Sequence, residues 1–191
     1  MKKDEGAGGH VCPWWMGYLL LIPIRRFPHN PQKILGPYIQ EGMTVLDIGP
    51  GMGFFSLPLA RMVGQNGKVI CIDLQERMIE TLNKRARKAG LSDIIRTRLC
   101  SNESLHIDDL AGTVDFALAF AIIHEVSDKA RLLHEIFYSL KREGRILLAE
   151  PVLHVKKDSF NESLSIARSV GFEIIAHPKI KRTHAVLLRK P

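Results

Sequence analysis

The stretch Val45-Leu-Asp-Ile-Gly-Pro-Gly-Met-Gly-Phe-Phe-Ser-Leu-Pro-Leu-Ala60 indicates the class of fold more strongly than any other part of this 191-residue chain. Residues 45–48 are apolar except for one aspartate, and turn-forming glycines bound them, so they predict a short buried strand. Glycines at positions 49, 51 and 53 then lead into an apolar run that predicts a helix. A strand, a glycine-rich turn and a helix N-terminus leave backbone N–H groups open to a ligand.

Asp47 narrows the kind of ligand. A carboxylate in a buried strand is costly unless it meets a hydrogen-bond donor or a cation. A pyrophosphate at this turn would repel the carboxylate, whereas an ammonium group would suit it. The spacing also departs from the dinucleotide fingerprint G-x-G-x-x-G, whose third glycine would fall where Phe54 stands. The motif therefore predicts a nucleoside ligand that carries positive charge.

The pattern Asp47-x-Gly49-x-Gly51-x-Gly53 after a hydrophobic strand resembles motif I of the class I S-adenosylmethionine-dependent methyltransferases. This resemblance implies that S-adenosylmethionine is the cofactor and S-adenosylhomocysteine the product. It also implies that the amino acid part of the cofactor is bound by Asp47, Gly49, Pro50, Gly51 and Gly53.

The order of predicted elements extends the resemblance to about residues 43–190. Strands are predicted at about 43–48, 68–73, 94–100, 114–120 and 145–150, with helices at about 53–63, 75–89, 128–141 and 159–169, and closing strands at 172–176 and 184–188. Strands that alternate with helices predict a parallel sheet covered on both faces. The expected fold is α/β: a Rossmann-like, doubly wound, seven-stranded and mostly parallel sheet with an antiparallel last strand.

Two units are predicted. Residues 1–42 form an N-terminal lid or extension, and residues 43–191 form the class I methyltransferase domain. Within the extension, Asn30-Pro31 predicts the start of a helix that reaches about Gly42, because asparagine caps helices well and proline suits their first position.

Further cofactor contacts are expected at other strand ends, since ligands of such sheets bind at the carboxyl edge. Asp73 closes the second strand, where its carboxylate could accept from both ribose hydroxyls, or cap the helix that follows. The resemblance adds Leu74 and Met78 beside the adenine, Ser101 and Asn102 at its polar edge, and Ala119 and Phe120 beside the methionyl part. Ser101 stands where the family usually has an acidic residue, which is a departure from its pattern.

The run Ile122-Ile-His-Glu-Val-Ser-Asp-Lys129 resembles the small-molecule branch of the family, including quinone-biosynthesis and arsenite methyltransferase-like members. The Asn/Asp-Pro-Pro-aromatic motif of base- and amide-directed relatives is absent from this point. His124 is the candidate general base, and the alternative is a loop histidine with a structural hydrogen bond. Methyl transfer from a sulfonium depends mainly on proximity and alignment, so a catalytic side chain is not required.

Aromatic residues near the N-terminus are the candidates for acceptor binding. Trp14, Trp15 and Tyr18 could pack against a flat or cationic acceptor and keep water from the methyl group, or could simply seal the core. Cys12 beside them could bind a soft substrate such as arsenic. Cys71 and Cys100 fall in or beside apolar strands, so the several cooperating thiols that arsenite enzymes use are not expected.

Composition bounds the remaining possibilities. The chain is 46% hydrophobic, 25% charged and carries a net charge of +7. Its basic residues fall in two regions, 77–98 and 156–190, which the fold would place toward opposite sides of the sheet, an unfavourable arrangement for one nucleic-acid groove. Three scattered cysteines show neither disulfide nor metal-ligand spacing, so we expect a cytoplasmic protein without a metal. No membrane span and no signal peptide are predicted.

The sequence therefore predicts a methyltransferase that acts on a small molecule by in-line displacement. Three alternatives stay open: an RNA- or ribosome-directed methyltransferase, a non-catalytic S-adenosylmethionine-binding module, and a nicotinamide dehydrogenase. The acceptor atom and the oligomeric state are not determined by the sequence.

Overall fold

The structure, a computed structural model, describes residues 29–191. Its strands are β1 (Thr44–Ile48), β2 (Lys68–Asp73), β3 (Ile95–Leu99), β4 (Val114–Phe120), β5 (Leu140–Pro151), β6 (Glu173–Ala176) and β7 (Thr183–Arg189). Its helices are α1 (Pro31–Leu35), α2 (Ser56–Val63), α3 (Glu76–Lys88), α4 (Lys129–Ser139) and α5 (Lys157–Val170), with 3₁₀ turns at Asp108–Leu110 and Ile123–Glu125.

The seven strands form one sheet in the order β3-β2-β1-β4-β5-β7-β6. Strands β1 to β5 pair in parallel, and β7 is antiparallel to both β5 and β6. The predicted fold class is thereby confirmed. The chain order reverses beside β1, which puts the switch point, the usual ligand position in such sheets, between β1 and β4.

Apolar layers cover both faces of the sheet. Helices α2 and α3 pack on one face through residues such as Leu59 and Leu82, and α4 and α5 pack on the other through Leu133, Ile136 and Ala167. Burial on both faces explains why the central strands read as nearly continuous apolar runs. Leu35 and Ile39 join the first layer, so residues 29–42 pack on the domain. The boundary at residue 42 stays a prediction, since residues 1–28 lie outside the described part.

Helix α1 begins as predicted and ends early. Asn30 Oδ1 accepts hydrogen bonds from the backbone N–H groups of Gln32 and Lys33, at 3.0 and 3.2 Å, and Pro31 occupies the first helical position. The helix ends at Leu35 instead of reaching Gly42. Pro37 provides the reason, because proline has no N–H with which to continue the helical hydrogen-bond series.

The helix predicted at about 128–141 should end at Lys141-Arg-Glu-Gly144, because basic residues followed by glycine are typical of a helix C-terminus, but this prediction is wrong. Helix α4 ends at Ser139, and β5 begins at Leu140, which pairs with Val114 of β4. Glu143 has a left-handed φ of 64°, and its N–H donates to Lys190 O beyond β7. The segment is therefore an irregular strand start, held by two neighbouring strands that a local helix signal cannot anticipate.

The sheet order separates the two basic regions. Residues 77–98 lie at the β3 edge, and residues 156–190 lie at the β6 edge, as expected. One side chain of the first region, Arg85, is expected on the exposed face of its helix, but it is half-buried and donates to Met52 O in the glycine loop. Within residues 29–191, no helix has the length and apolar character needed to cross a membrane.

Candidate functional site

The glycine loop after β1 uses its three glycines for different purposes. All three have left-handed φ values, +66° at Gly49, +54° at Gly51 and +85° at Gly53. A Cβ on Gly49 would stand 2.9 Å from Ile122 Cδ1, and a Cβ on Gly53 would stand 2.4 Å from Leu82 Cδ1. A Cβ on Gly51 would meet no atom within 4 Å. Two glycines thus allow close packing, whereas Gly51 borders open space where a ligand can approach the backbone.

Asp73 connects this loop with the end of β2. Its Oδ2 accepts a hydrogen bond from Gly51 N at 3.1 Å, and its Oδ1 accepts one from Gln75 N at 2.9 Å. The N-cap of α3 is Gln75, so Asp73 forms a turn ahead of the helix and is not its cap. Burial raises the pKa of Asp73, and the backbone N–H donors offset part of that increase. Only 9% exposed, the carboxylate lies at the edge where a ribose is expected.

Asp47 is enclosed beneath the same loop. It is 2% exposed, and its Oδ2 accepts a hydrogen bond of 2.6 Å from Ser56 Oγ at the start of α2. Burial raises the pKa of Asp47 to about 7, the Ser56 hydroxyl counteracts this, and the charge of Asp73 adds to it. The carboxylate meets the donor that its burial requires. Within residues 29–191 no basic side chain forms an ion pair with it, and an ammonium group at the loop would supply a cation.

The predicted adenine side has apolar surface and an ordered loop. Leu74 is 36% exposed and Leu99, beside Asp73 on β3, is 47% exposed, while Met78 is buried. Ser101 Oγ already accepts from the backbone N–H groups of Glu103 and Ser104, at 3.2 and 3.1 Å. An acceptor role for Ser101 toward the adenine amine would therefore require this turn to open.

Other predicted residues of this region are arranged as follows. Asn102 lies in the Ser101 loop, and its carbonyl accepts a 2.5 Å hydrogen bond from Arg131 Nη2. Pro50 is buried within the glycine loop. Ala119 is fully buried inside the sheet, so its side chain offers a ligand no surface, and Phe120 packs against Phe55 with ring centroids 4.7 Å apart. Trp14, Trp15, Tyr18 and Cys12 lie outside the described residues.

The turn after β4 places His124 against a buried carboxylate. Ala121 adopts a left-handed φ of 61°, a strained conformation of the kind found at functional sites. Past it, Ile123 N donates to Glu150 Oε1 at 2.7 Å, and His124 Nδ1 lies 2.5 Å from Glu150 Oε2. Glu150 is 1% exposed, and each of its carboxylate oxygens contacts a residue of this turn. The arrangement fixes the ring and leaves Nε2 as the nitrogen available to a substrate.

The charge around His124 favours its protonated form. The hydrogen bond to Glu150 raises the pKa of His124, burial and Lys129 oppose this, and the charges of Glu150 and Glu125 add to the increase. Glu125 Oε1 lies 4.0 Å from His124 Nε2. A histidine held by a carboxylate is a stronger base than an isolated one and stabilises the imidazolium after it accepts a proton.

A pocket of about 420 Å³ opens beside this pair. Its lining residues include Ile123, His124, Lys129, Glu150, His154 and Lys156. The volume lies in the range of about 300 to 1,000 Å³ that is usual for small-molecule sites. The pocket and the glycine loop are neighbours, because Ile122 packs against Gly49 and the next two residues line the pocket. An acceptor bound here would lie close to a ligand of the loop.

Glu150 is the functional candidate that the sequence reasoning missed. It is the last residue before Pro151 in an apolar strand, much as Asp47 and Asp73 lie at or near the ends of theirs. A carboxylate in a buried strand needs a partner, and this signal, which points to Asp47 and Asp73, points equally to Glu150. Among the described residues, no group of three or more His, Cys, Asp or Glu side chains could hold a metal ion.

Comparison with known proteins gives one consistent family. The family model of a methyltransferase domain matches residues 39–183. The ubiquinone/menaquinone biosynthesis C-methyltransferase UbiE of Pasteurella multocida is 28% identical over 141 residues, covering 72% of this chain and 52% of that protein. UbiE of Salmonella arizonae is 30% identical over 112 residues, covering 59% and 44%. The chain thus spans about half the length of the curated relatives that it matches.

Solved structures share the fold over most of the chain. A SAM-dependent methyltransferase from Aquifex aeolicus superposes with a TM-score of 0.85 at 25% identity, covering 95% of this chain and 100% of that one. The [4+2]-cyclase SpnF superposes with a TM-score of 0.73 at 18% identity, covering 85% and 81%. Because one fold carries both activities, the reaction has to be argued from the site.

Proposed function

The chain belongs to the class I S-adenosylmethionine-dependent methyltransferases, and on that premise we propose that it transfers a methyl group to a small-molecule acceptor bound beside His124. S-adenosylmethionine is the cofactor. When bound, it supplies an electrophilic methyl group on a sulfonium and leaves as a neutral thioether. The observation that carries the proposal is the contact between Gly51 N and Asp73 Oδ2, which joins the glycine loop after β1 to the acid at the end of β2.

The residues present fit this cofactor. Gly51 borders open space, so a ligand can approach its backbone closely. Asp47 offers a buried negative charge to the ammonium group, and Ser56 orients that carboxylate. Asp73 could accept hydrogen bonds from the ribose hydroxyls through carboxylate lone pairs that the N–H groups of Gly51 and Gln75 leave free. These assignments, like those of Leu74, Met78, Ser101, Asn102, Ala119 and Phe120, are proposals.

Thermal unfolding with three ligands tests the proposal. S-adenosylmethionine or S-adenosylhomocysteine at 100-fold over its Kd is expected to raise the free energy of unfolding by roughly 2.7 kcal/mol, whereas NADH leaves it unchanged. Stabilisation by NADH alone would favour a dehydrogenase. If the adenosyl ligands stabilise the protein but no acceptor in a screen leads to S-adenosylhomocysteine release, a non-catalytic binding module is favoured.

His124 is proposed as the general base, with Glu150 as its positioning residue. An acceptor O–H, N–H or activated C–H has to lose a proton when its atom gains the methyl group, and His124, which lines the pocket, could take it at Nε2. Glu150 holds Nδ1 and stabilises the resulting imidazolium. Positioned bases of this kind contribute factors of about 10² to 10⁴ in rate.

A pH–rate comparison distinguishes this role from a structural one. In the unmodified protein the rate rises with pH through the pKa of His124, which lies above its ordinary value of about 6.5. Glu150→Gln removes the charge that raises this pKa, so we expect the rising limb to move to lower pH. The plateau rate should also fall, by roughly 10- to 100-fold, because the base becomes weaker and less well oriented.

Glu125→Gln is the matched control for Glu150→Gln. Glu125 lies farther from the His124 ring than Glu150 does, so this substitution should shift the rising part of the pH–rate profile less. A purely structural role of Glu150 predicts a lower rate with the limb unmoved.

The small-molecule acceptor is supported by the pocket volume and by the relatives, whose names describe C-methyltransferases of ubiquinone and menaquinone biosynthesis. An RNA acceptor instead predicts nucleic-acid binding with a steep salt dependence.

We also propose that residues 1–42 close over the acceptor through Trp14, Trp15 and Tyr18. A further proposal is that the protein is cytoplasmic, as its cysteine pattern suggests.

A further inference from the structure

Two turns build the acceptor pocket, and both carry cations. The turn after β4 leads to Lys129 at the start of α4, and the turn after β5 leads through His154 to Lys156. His154 N and Val155 N both donate to Pro151 O, at 3.0 and 2.9 Å, which fixes the second turn. The two turns meet over Glu150, so these side chains line the same pocket although they are far apart in sequence.

Glu150, the acidic residue in the lining of this pocket, is already engaged. Both oxygens of Glu150 bond to the His124 turn, and Glu125 lies beside His124 Nε2 outside the lining of the pocket. Within residues 29–191, neither Lys129 nor Lys156 forms an ion pair. The His154 ring lies near that of His124, with centroids 6.1 Å apart and planes inclined by 16°. Two lysines and a second histidine thus line the pocket, and none of the three forms an ion pair within residues 29–191.

The remaining residues that line the pocket are either apolar or carry a neutral hydroxyl group. Ile123 and Val155 are buried and form apolar wall, and Ser159 contributes a hydroxyl. Polar groups that converge in a pocket fix the orientation of its ligand. A compact ammonium group binds carboxylate or phosphate as a point charge.

From this arrangement we propose that the methyl acceptor is a small, partly apolar molecule with an anionic group, which Lys129 and Lys156 bind while the acceptor atom faces His124 Nε2. The proposal rests on the proposed function, because it names the acceptor class of the same site. It adds that recognition depends on a negative charge at a distance from the atom that is methylated.

Binding of matched aromatic probes tests the proposal in the full chain saturated with S-adenosylhomocysteine. Benzoate and benzamide have nearly the same shape and differ in charge, and phenyl phosphate shows whether phosphate or carboxylate is preferred. The readout is the NMR signal of the His124 and His154 ring protons. We expect at least one of the two anions to bind at least 10-fold more tightly than benzamide, and both histidines to shift.

Substitutions assign the effect to the lysines. The double variant Lys129→Gln/Lys156→Gln should reduce the preference for the anion to about one-fold, while Lys88→Gln, at the distant end of α3, should retain it. Equal binding of anions and benzamide, or no binding of any probe, would overturn the anionic acceptor. S-adenosylhomocysteine binding separates failure of the proposed function from failure of this inference. If the unmodified protein does not bind S-adenosylhomocysteine, the proposed function is refuted. If it binds S-adenosylhomocysteine but shows no preference for anions, only the anionic acceptor is refuted.

Discussion

Replacing Gly51 with valine is expected to weaken S-adenosylhomocysteine binding by more than about 100-fold while the protein still folds. The added side chain would occupy the open space beside the loop backbone, where a cofactor approaches. Losing two or more charge-assisted hydrogen bonds to the loop would cost about 1.5 to 3 kcal/mol each, which corresponds to that factor. Isothermal titration measures the binding, and chemical denaturation measures the stability.

Two other glycines provide controls for this experiment. Gly90 has a left-handed φ of +69° and open space at its Cβ position, as Gly51 does, but it follows α3 away from the site. Gly90→Val should therefore carry a similar conformational cost, roughly 1 to 2 kcal/mol, and keep full cofactor affinity. Gly53→Ala should destabilise the fold instead, because its Cβ would collide with Leu82 and Leu57. Retained binding in Gly51→Val would show that the loop is not the cofactor site.

Replacing Asp47 with asparagine is expected to separate stability from cofactor binding. Burial raises the pKa of Asp47 to about 7, about three units above the ordinary value near 4. Between these two values the folded state holds a proton that the unfolded state has released. Stability therefore falls as pH rises from about 4 to about 7, and above pH 7 the ionised carboxylate costs the apo protein up to about 4 kcal/mol.

Asparagine removes that cost but leaves a buried amide N–H₂ without an assigned partner, a penalty of about 1 to 3 kcal/mol. We expect Asp47→Asn to stabilise the apo protein by about 1 to 3 kcal/mol at pH 8.5 and to give no gain at pH 5. Urea unfolding at both pH values measures this. A gain of equal size at both would mean that ionisation of Asp47 is not the cause.

The same substitution should reduce cofactor affinity by a factor of roughly 10 to 150, since a charged hydrogen-bond partner is lost. In the unmodified protein the affinity for S-adenosylhomocysteine should also fall as pH drops below about 7, because a proton competes for Asp47. Asp47→Asn should abolish that dependence. Ser56→Ala, which removes only the hydroxyl that donates to Asp47, should keep it and move its midpoint to higher pH.

Local patterns were sufficient for most of the fold. The apolar runs of β1, β2 and β4 and the helical spacing of α3 are set by side-chain periodicity, and their bounds were predicted to within one residue. Predictions failed where distant chain segments determined the backbone. Residues 141–144 carry a helix-ending signal, yet they form an irregular part of β5 between Leu140 and Arg145, which pair with β4, and they exchange hydrogen bonds with Lys190. Arg85 has the sequence context of an exposed helix residue, and only the fold brings Met52 O within its reach.

The candidate site divides in the same way. By itself the sequence determined the glycine turn, the acids that follow buried strands and the family, because each of these is a short-range pattern of conformation and burial. Only the tertiary structure showed that Gly51 is the glycine beside open space, that Glu150 holds His124 and that two lysines face one pocket. Those pairs of residues lie 22 to 27 positions apart, and their distances depend on strand order and on the turns at the carboxyl edge.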